Sequence, residues 1–311
     1  METTVDTAAD GGHVAGTEAV AACAAMAACY VAVLYAPTVL LRLPPASSLD
    51  NYMIRRFLCA LASTAASVVF SASLLGIWRV GDLEAMLSIY GLRKDHMWQA
   101  AVFPLLLTSL LYAGSLVLKI FLLISRWDEV SSNCSFWNFV DCIRRLAYNV
   151  MAWRNYVVAP FTEELVFRAC MIPLLLCGGY RTYNIIFFSP VFFSLAHLNH
   201  FLELYYQQNY SFSKAFLLVG VQLGYTVIFG WYASFLFIRT GNLISPTVAH
   251  ILCNIMGLPV LSSSRTKGVA TIVFAAGLFC FFWLLFPASS PDLYNDKVDG
   301  CLCWHGYCNW S

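Results

Sequence analysis

The chain has 311 residues, of which 60% are hydrophobic and only 11% are charged, and its formal net charge is +1. Soluble domains average roughly 45–50% apolar and about 25% charged residues, so this composition excludes an ordinary soluble protein. The near-neutral charge gives no basis for binding nucleic acid. The composition therefore predicts a protein that crosses a membrane several times.

Uncharged apolar stretches recur along the chain and mark the predicted transmembrane helices. A helix needs about 20 apolar residues to cross the hydrocarbon core of a bilayer. Several stretches reach this length, whereas the fifth and the seventh are shorter. The predicted fold is an all-α polytopic membrane helix bundle of about eight transmembrane helices. These lie at about 19–41, 57–78, 97–124, 146–176, 184–198, 215–238, 247–260 and 268–286.

The stretches between the predicted helices are short, so no separate soluble domain fits between them. Interfacial segments are expected near 79–96 and 126–145. The whole chain, residues 1–311, is therefore predicted to form a single transmembrane domain with its motif core at about 146–260. The two ends are a short polar tail at 1–17 and a cysteine-rich tail at 287–311.

Two features inside the predicted helices carry local structural information. Pro160 is expected to interrupt the fourth helix, because proline has no N–H group to donate to the preceding turn. Gly220 and Gly224 form a GxxxG pattern in the sixth helix, which is typical of close packing between transmembrane helices. The GxxxG pattern is predicted to serve the fold rather than the chemistry.

Positively charged residues outside the predicted spans indicate the orientation, because cytosolic loops are enriched in Lys and Arg. If the N-terminus is lumenal, nine such residues lie in cytosolic loops and six lie on the other side. This excess favours a lumenal position for both termini. The nine are Arg42, Arg55, Arg56, Arg126, Arg144, Arg145, Lys214, Arg265 and Lys267, and the six are Arg79, Arg93, Lys94, Arg181, Arg239 and Lys297.

Three of the 12 cysteines lie in the C-terminal tail, at Cys301, Cys303 and Cys308. In a lumenal tail they could form a disulfide, since that compartment is oxidising. A metal site is disfavoured because only His305 is nearby to complete four ligands. The last four residues, Cys-Asn-Trp-Ser, have the outline of a prenylation signal, but a protein with eight helices needs no lipid anchor.

Three charged residues, Glu163, Glu164 and Arg168, lie close together in the apolar stretch 157–173. A charged residue at the centre of a bilayer costs roughly 2.5–3.5 kcal/mol on insertion scales, so intramembrane charges indicate function. Glu164 and Arg168 are four residues apart and are expected to form an ion pair on one helix face. Glu163 lies about 100° around the helix and is left without a local partner. Glu163 is therefore a candidate general base.

Two further apolar stretches contribute histidines. His197 and His200 close the fifth predicted helix, while His250 and Asn254 are four residues apart on one face of the seventh. A single His on an apolar helix is usually a core residue. The convergence of two such helices with a third that bears paired glutamates favours a polar site inside the bundle. His197 is the last deep position before a loop, and His200 is expected at the interface.

These side chains are compatible with two hydrolytic sites, which the residues alone leave open. A zinc site would use His197, His250 and a Glu, with water as the fourth ligand, although the HExxH pattern is absent. In a metal-free site, Glu163 activates water, and His197 orients this water or carries its proton. His250 and Asn254 then donate hydrogen bonds to the developing oxyanion.

A nucleophilic cysteine is a third chemical possibility. Cys170 lies near Arg168, and Cys253 is adjacent to Asn254. A thiolate is the reactive form and needs a nearby cation or base. Both cysteines lie within apolar stretches, where a free thiol usually packs as a small hydrophobic group.

The charged and polar residues resemble the three motifs of the type II CAAX prenyl endoprotease family, a branch of the intramembrane glutamate proteases. The family pattern is EExxxR, then FxxxH, then HxxxN. All three motifs occur in order, each on its own predicted helix, and no motif position departs from the pattern. They stand here as Glu163-Glu164-Leu-Val-Phe-Arg168, Phe193-Ser-Leu-Ala-His197 and His250-Ile-Leu-Cys-Asn254.

The resemblance implies an endoprotease that cuts prenylated CaaX proteins of the small GTPase type after the modified cysteine and releases the last three residues. It implies a multi-pass protein of the endoplasmic reticulum membrane, in contact with lipid, whose active site faces the cytosol. It implies neither a cofactor nor a metal. By carry-over, Glu163 is the water-activating base and His197 its partner, His250 and Asn254 stabilise the oxyanion, Glu164 and Arg168 support the site, and Phe193 shapes it.

A membrane transporter or scaffold is the alternative from a different functional class, because buried charges and broken helices also mark ion pathways. A transporter more often shows repeated halves, which this sequence lacks. A scaffold has no need for Asn254 on the same face as His250. Among enzymes, the alternative is the zinc-dependent intramembrane protease described above.

Overall fold

The described part of the chain is almost entirely helical. The computed structural model describes residues 14–39, 41–44, 46–77, 83–125, 136–261, 264–266 and 268–294. Within these ranges there is no β-strand. Five helices are long and apolar enough to cross a membrane, or up to six if one bent pair forms a single span. The predicted all-α membrane bundle is confirmed.

Short connections join most helices, which we label in chain order and separate into two groups. Those before residue 150 are α1 (Gly16–Val39), α2 (Leu49–Leu75), α3 (Leu83–Ile89), α4 (Met97–Leu111), α5 (Ala113–Ser125) and α6 (Phe136–Ala147). The helices after residue 177 are α10 (Thr182–Ala196), α11 (Asn199–Leu202), α12 (Phe212–Thr240), α13 (Ile244–Met256) and α14 (Val269–Ala288). A π-helical turn at Glu203–Gln207 continues α11.

Residues 150–177, here called the composite helix, carry the acidic motif and remain helical throughout. Two π-helical segments, in which the backbone is wider than in an α-helix, interrupt the α-helical register. Such segments occur frequently at functional sites. The successive parts are α7 (Val150–Trp153), a π segment (Arg154–Val158), α8 (Ala159–Glu164), a second π segment (Leu165–Cys170) and α9 (Met171–Cys177).

The expected interruption near Pro160 takes the form of a π-helical turn, and the chain does not leave the helix. The N–H of Ala159 donates to the carbonyl of Arg154, which is a π-type hydrogen bond. Pro160 then lies in the first turn of α8. The π turn allows the helix to continue past a residue that has no N–H group to donate.

The predicted helix at 97–124 is wrong as a single straight element. The structure ends α4 at Leu111 and begins α5 at Ala113, with a bend of 79° between them. Tyr112 lies at the bend, is almost fully buried, and donates a hydrogen bond of 2.8 Å to the carbonyl of Gly257. This contact joins positions 145 residues apart in the chain. The local apolar pattern therefore carries no sign of it.

All eight predicted helices coincide with helical stretches, but fewer than eight of the helices in the described ranges are long and apolar enough to span a membrane. The composite helix is divided by its π segments, and α13 has 13 residues, fewer than the about 20 that a span requires. The expected interfacial stretches contain α3 and α6. The tail residues Cys301, Cys303, His305 and Cys308 lie outside the described residues, as does most of the polar N-terminal tail.

The close contact between α10 and α12 depends on a glycine that the sequence pattern did not single out. A Cβ atom added at Gly230 would collide with the ring of Pro190. At Gly220 and Gly224, by contrast, a Cβ atom would meet no atom of the described chain within 4 Å. The prediction that the GxxxG pair mediates close helix packing within the bundle is therefore wrong, and Gly230 performs that task.

We expect Gly230→Ala to lower the thermal unfolding midpoint of the purified protein in detergent. Forcing extra volume into a packed contact costs about 1–3 kcal/mol. Gly220→Ala on the same helix is the matched control. It should leave the midpoint unchanged or raise it, because Ala favours the helix by about 1 kcal/mol relative to Gly. Equal midpoints for the two variants would contradict the assigned contact.

Candidate active site

His250 joins the acidic motif of the composite helix to α13. Its Nδ1 atom lies 2.7 Å from Glu164 Oε1, and its Nε2 atom lies 3.8 Å from Glu163 Oε2. The carboxylate is an acceptor, so the Nδ1–H group donates to Glu164. The imidazole therefore contacts both neighbouring glutamates, although 86 residues separate His250 from Glu164.

Glu164 and Arg168 form the predicted ion pair, with Arg168 Nη1 at 3.0 Å from Glu164 Oε1. The side chain of Glu164 is fully buried and that of Arg168 is 1% exposed. A buried charge is tolerated only when it is paired and hydrogen-bonded. Glu164 meets this condition through its Oε1 atom, which accepts from both Arg168 and His250. This glutamate is consequently committed to holding the site together.

The guanidinium of Arg168 also lies against two aromatic rings. Its Cζ atom is 4.4 Å from the ring centroid of Phe193 and 5.7 Å from that of Phe229. A cation over an aromatic face is attracted to the ring, and the attraction strengthens when both are desolvated. Phe193 was predicted to shape the site, whereas Phe229 was missed because it stands outside the three motifs. Phe229 also packs against the ring of His250, with centroids 4.9 Å apart.

His197 lies directly after the last residue of α10, where its ring is fixed by the backbone. Its Nδ1 atom is 2.8 Å from the carbonyl oxygen of Phe193. A carbonyl only accepts, so Nδ1 carries a proton, and in the neutral ring Nε2 is the basic nitrogen. The ring packs edge-on against Phe193, with centroids 4.8 Å apart. His197 is thereby held ready to exchange a proton through Nε2.

Glu163 and His197 line one open pocket. The side chain of Glu163 is 18% exposed, in contrast to the fully buried side chain of Glu164. The two adjacent glutamates therefore differ in water access, as the 100° separation on the helix predicts. His200 also lines the pocket, and its Nδ1 atom lies 3.2 Å from Glu203 Oε2.

The side-chain amide of Asn254 lies outside this pocket in the structure. Its Nδ2 atom donates a 2.8 Å hydrogen bond to the carbonyl of Asn155, in the first π segment of the composite helix. An Asn amide has two N–H groups, so one donor remains. The structure thus places Asn254 as a link between α13 and the composite helix, on the same helix as His250.

Several pocket residues carry no signal in the motif pattern. Tyr30 from α1 forms a 3.0 Å hydrogen bond with Thr162, one position before the glutamate pair. Arg56 from α2 and Arg154 from the first π segment also line the pocket. In sequence these residues resemble ordinary interfacial positions, and only the packing of α1 and α2 against the composite helix brings Tyr30 and Arg56 to the pocket.

The alternative chemistries have less geometric support among the described residues. Cys170 is fully buried and Cys253 is 8% exposed, and neither thiol lines the pocket. In the part of the chain that the structure describes, no three His, Cys, Asp or Glu side chains are grouped in a way that could hold a metal ion. The geometry is that of a carboxylate and an imidazole that face a common pocket.

We expect Arg168→Met to destabilise the protein strongly, because it leaves Glu164 as an incompletely paired buried carboxylate. Removing one partner of a buried ion pair typically costs about 3–5 kcal/mol. The thermal unfolding midpoint in detergent measures this loss. Adding Glu164→Leu to Arg168→Met should recover part of it, since no buried charge then lacks its partner. A single variant as stable as wild type would contradict the assigned role of the pair.

Comparison with known proteins assigns the chain to a family. Residues 145–256 match the family model described as Type II CAAX prenyl endopeptidase Rce1-like. The chain is 54% identical to CAAX prenyl protease 2 of Arabidopsis thaliana, over 98% of this chain and all of that protein. No solved structure matches the chain significantly.

More distant relatives carry the same name. CAAX prenyl protease 2 of Homo sapiens is 35% identical over 68% of this chain and 64% of its own length. The protein of that name from Caenorhabditis elegans is 31% identical over 66% of this chain and 72% of its own length. The resemblance in the three motifs is confirmed by these matches, and the chain belongs to the type II CAAX prenyl endopeptidase family.

Proposed function

We propose that the protein cleaves prenylated CaaX proteins after the modified cysteine, using a water molecule that Glu163 activates. The observation that carries this proposal is the joint position of Glu163 and His197 on one water-accessible pocket, next to a fully buried Glu164. The buried pair holds the helices in place, while its neighbour keeps a free carboxylate at the pocket. Family membership supplies the substrate class.

In the proposed reaction, Glu163 takes a proton from water as the water oxygen attacks the carbonyl carbon of the prenylated cysteine. The carbonyl oxygen becomes an oxyanion. The C–N bond then breaks, and the proton is delivered to the departing amine. His197 orients the water and exchanges protons through Nε2, because its Nδ1–H is held by the carbonyl of Phe193. Atoms and charges balance without any further reactant.

His250 and Asn254 are the proposed donors to the oxyanion. With both ring nitrogens protonated, His250 donates to Glu164 through Nδ1 and keeps the Nε2–H for the reacting oxygen. The second N–H of Asn254, which Asn155 does not use, is the other donor.

We place this chemistry at the cytosolic face of the endoplasmic reticulum membrane. Arg55 and Arg56 belong to one predicted cytosolic loop. Arg144 and Arg145 belong to the next, and Arg154 follows them shortly along the chain. The pocket lined by Arg56 and Arg154 therefore opens toward that side. Proteins of the small GTPase type are the proposed substrates. Membrane lipid, which surrounds the exposed apolar helices, would accommodate the prenyl chain.

We expect purified wild-type protein in detergent to cleave a farnesylated CaaX peptide, and Glu163→Ala to abolish the reaction while retaining the wild-type unfolding midpoint. His197→Ala should act in the same way. Release of the C-terminal tripeptide, followed by mass spectrometry, is the readout. Full activity in the Glu163→Ala, Glu164→Ala double variant would overturn the assignment of the acidic motif.

A strong zinc chelator added to the same assay separates the glutamate mechanism from the zinc alternative. Cleavage that persists with chelator and is lost in Glu163→Ala supports a water activated by the carboxylate. Cleavage lost under both conditions would favour a metal held by the same histidines. If folded wild-type protein left a prenylated peptide intact, the transporter alternative would gain support.

We expect Asn254→Ala to lower kcat by roughly 100- to 1000-fold, the usual cost of one missing oxyanion donor. Its exposed hydrogen bond to Asn155 is worth only about 0.5–1.5 kcal/mol, so the unfolding midpoint should change little. Steady-state kinetics and thermal unfolding of the same preparation test both statements. A fall of less than tenfold in kcat would remove Asn254 from the proposed mechanism.

A further inference from the structure

The pocket contains two cations that the proposed chemistry does not use. Arg56 extends from α2 and Arg154 from the first π segment, and both line the cavity that holds Glu163 and His197. Both arginines are only partly buried. Charged groups on membrane helices are costly, so cations that face a pocket imply an anionic partner.

Neither arginine is neutralised by an ion pair among the described residues. Arg56 donates a 3.0 Å hydrogen bond to the hydroxyl of Tyr52, and its guanidinium lies 5.7 Å from the Tyr52 ring centroid. Within the described ranges the Arg154 side chain forms no hydrogen bond or ion pair, and both arginines act on the Glu203 carboxylate only at longer range. The nearby Glu203 is held by His200 at 3.2 Å. Guanidinium donors therefore remain available in the pocket.

We infer that Arg56 and Arg154 bind the C-terminal carboxylate of the substrate and so determine where the chain is cut. This inference rests on the proposed function, because it takes a CaaX tail as the occupant of the pocket. The guanidinium group matches a carboxylate geometrically and can bind it through two parallel hydrogen bonds. A free carboxylate at the end of the tail is the only charge that such a substrate necessarily presents.

The spacing along the composite helix fits a tail of three residues. Arg154 and Glu163 are nine residues apart, which corresponds to at most about 14 Å of helix rise, because the wider π segment rises less per residue than an α-helix. Three extended residues beyond the scissile bond span about 10 Å. The remaining about 4 Å lies within the reach of an arginine side chain that leans toward Glu163. Anchoring the carboxylate at the arginines therefore places the third peptide bond from the end near Glu163.

Most of the other walls of this cavity are apolar, as the middle of a CaaX tail requires. Aliphatic and aromatic side chains from α1, α2 and the composite helix form these walls. Two aliphatic side chains of the tail would be removed from water there, which stabilises binding in proportion to the buried area. These wall residues are Val31, Leu34, Met53, Phe57, Ala60 and Val158.

The test compares two farnesylated CaaX peptides that differ only at the C-terminus, one with a free carboxylate and one with a carboxamide. Wild-type protein in detergent should cleave the amide with a kcat/KM about 10- to 100-fold lower, the effect of losing hydrogen bonds between charged groups. Arg56→Gln and Arg154→Gln should reduce cleavage of the acid to that level and leave cleavage of the amide unchanged. Arg56→Lys and Arg154→Lys should each retain part of the preference for the peptide with a free carboxylate.

Arg55→Gln is the matched control on the same helix. Arg55 is adjacent to Arg56, but it donates to the carbonyl of Pro44 and does not line the pocket. It should therefore retain the full preference for the acid. Equal cleavage of acid and amide by wild type would overturn the inference. Arginine variants that slow both peptides equally would do the same, since that pattern indicates a purely structural role.

Binding of the same peptides to Glu163→Gln separates this inference from the proposed function. The affinities of fluorescently labelled acid and amide peptides can be compared without any cleavage. If wild-type protein cleaves neither peptide, the proposed function fails, and the binding data still decide the role of the arginines. Tighter binding of the acid that disappears in the Arg56→Gln, Arg154→Gln background supports the carboxylate site. Equal affinities for both peptides contradict it.

Discussion

The buried contact among Glu164, Arg168 and His250 is the interaction on which the rest of the site depends. In the low dielectric of a helix bundle, an unpaired carboxylate costs several kcal/mol, so Glu164 must keep both of its donors. One donor is on the composite helix and the other is on α13. Phe193 and Phe229 extend the contact to α10 and α12 by packing on Arg168. A single buried charge thus fixes the relative positions of four helical elements.

The same contact separates the roles of two adjacent glutamates. Glu164 points into the bundle, where its Oε1 atom accepts from both Arg168 and His250, and it does not line the pocket. Glu163, rotated around the helix, reaches the pocket and makes only a 3.8 Å approach to His250. Identical side chains therefore have different environments because of one residue of helical rotation. The π segments on either side of α8 change the rotation of the backbone there, and this rotation sets the faces of the composite helix on which the two glutamates lie.

The pocket combines chemical groups that complement the proposed substrate. Glu163 and His197 are the groups proposed for hydrolysis, many of the other walls are apolar, and Arg56 and Arg154 are cationic. A prenylated tail carries the corresponding scissile bond, aliphatic side chains and terminal carboxylate. In this view, the length of the released fragment follows from the distance between two fixed groups. It does not require recognition of any particular side chain.

The sequence by itself determined the features that depend on near neighbours along the chain. The length of the apolar stretches predicts the helices, and the spacing of four residues predicts the ion pair between Glu164 and Arg168. The motif residues mark the site because charge and imidazole are rare among apolar residues. Composition and spacing also exclude a soluble fold, since too few polar residues are present to cover one.

Only the tertiary structure decided which helices meet and how each is rotated. In the structure, His250 Nδ1 donates to Glu164 and the chain bends at Tyr112. The close contact of α12 lies at Gly230 and not at Gly220 or Gly224. The tertiary structure also brought Arg56 to the pocket, although nothing near that residue in sequence marks it. The physical reason is that periodicity specifies a helix and its apolar face. Contacts between helices depend on axial register, rotation and shape complementarity, which arise only when all the helices pack together.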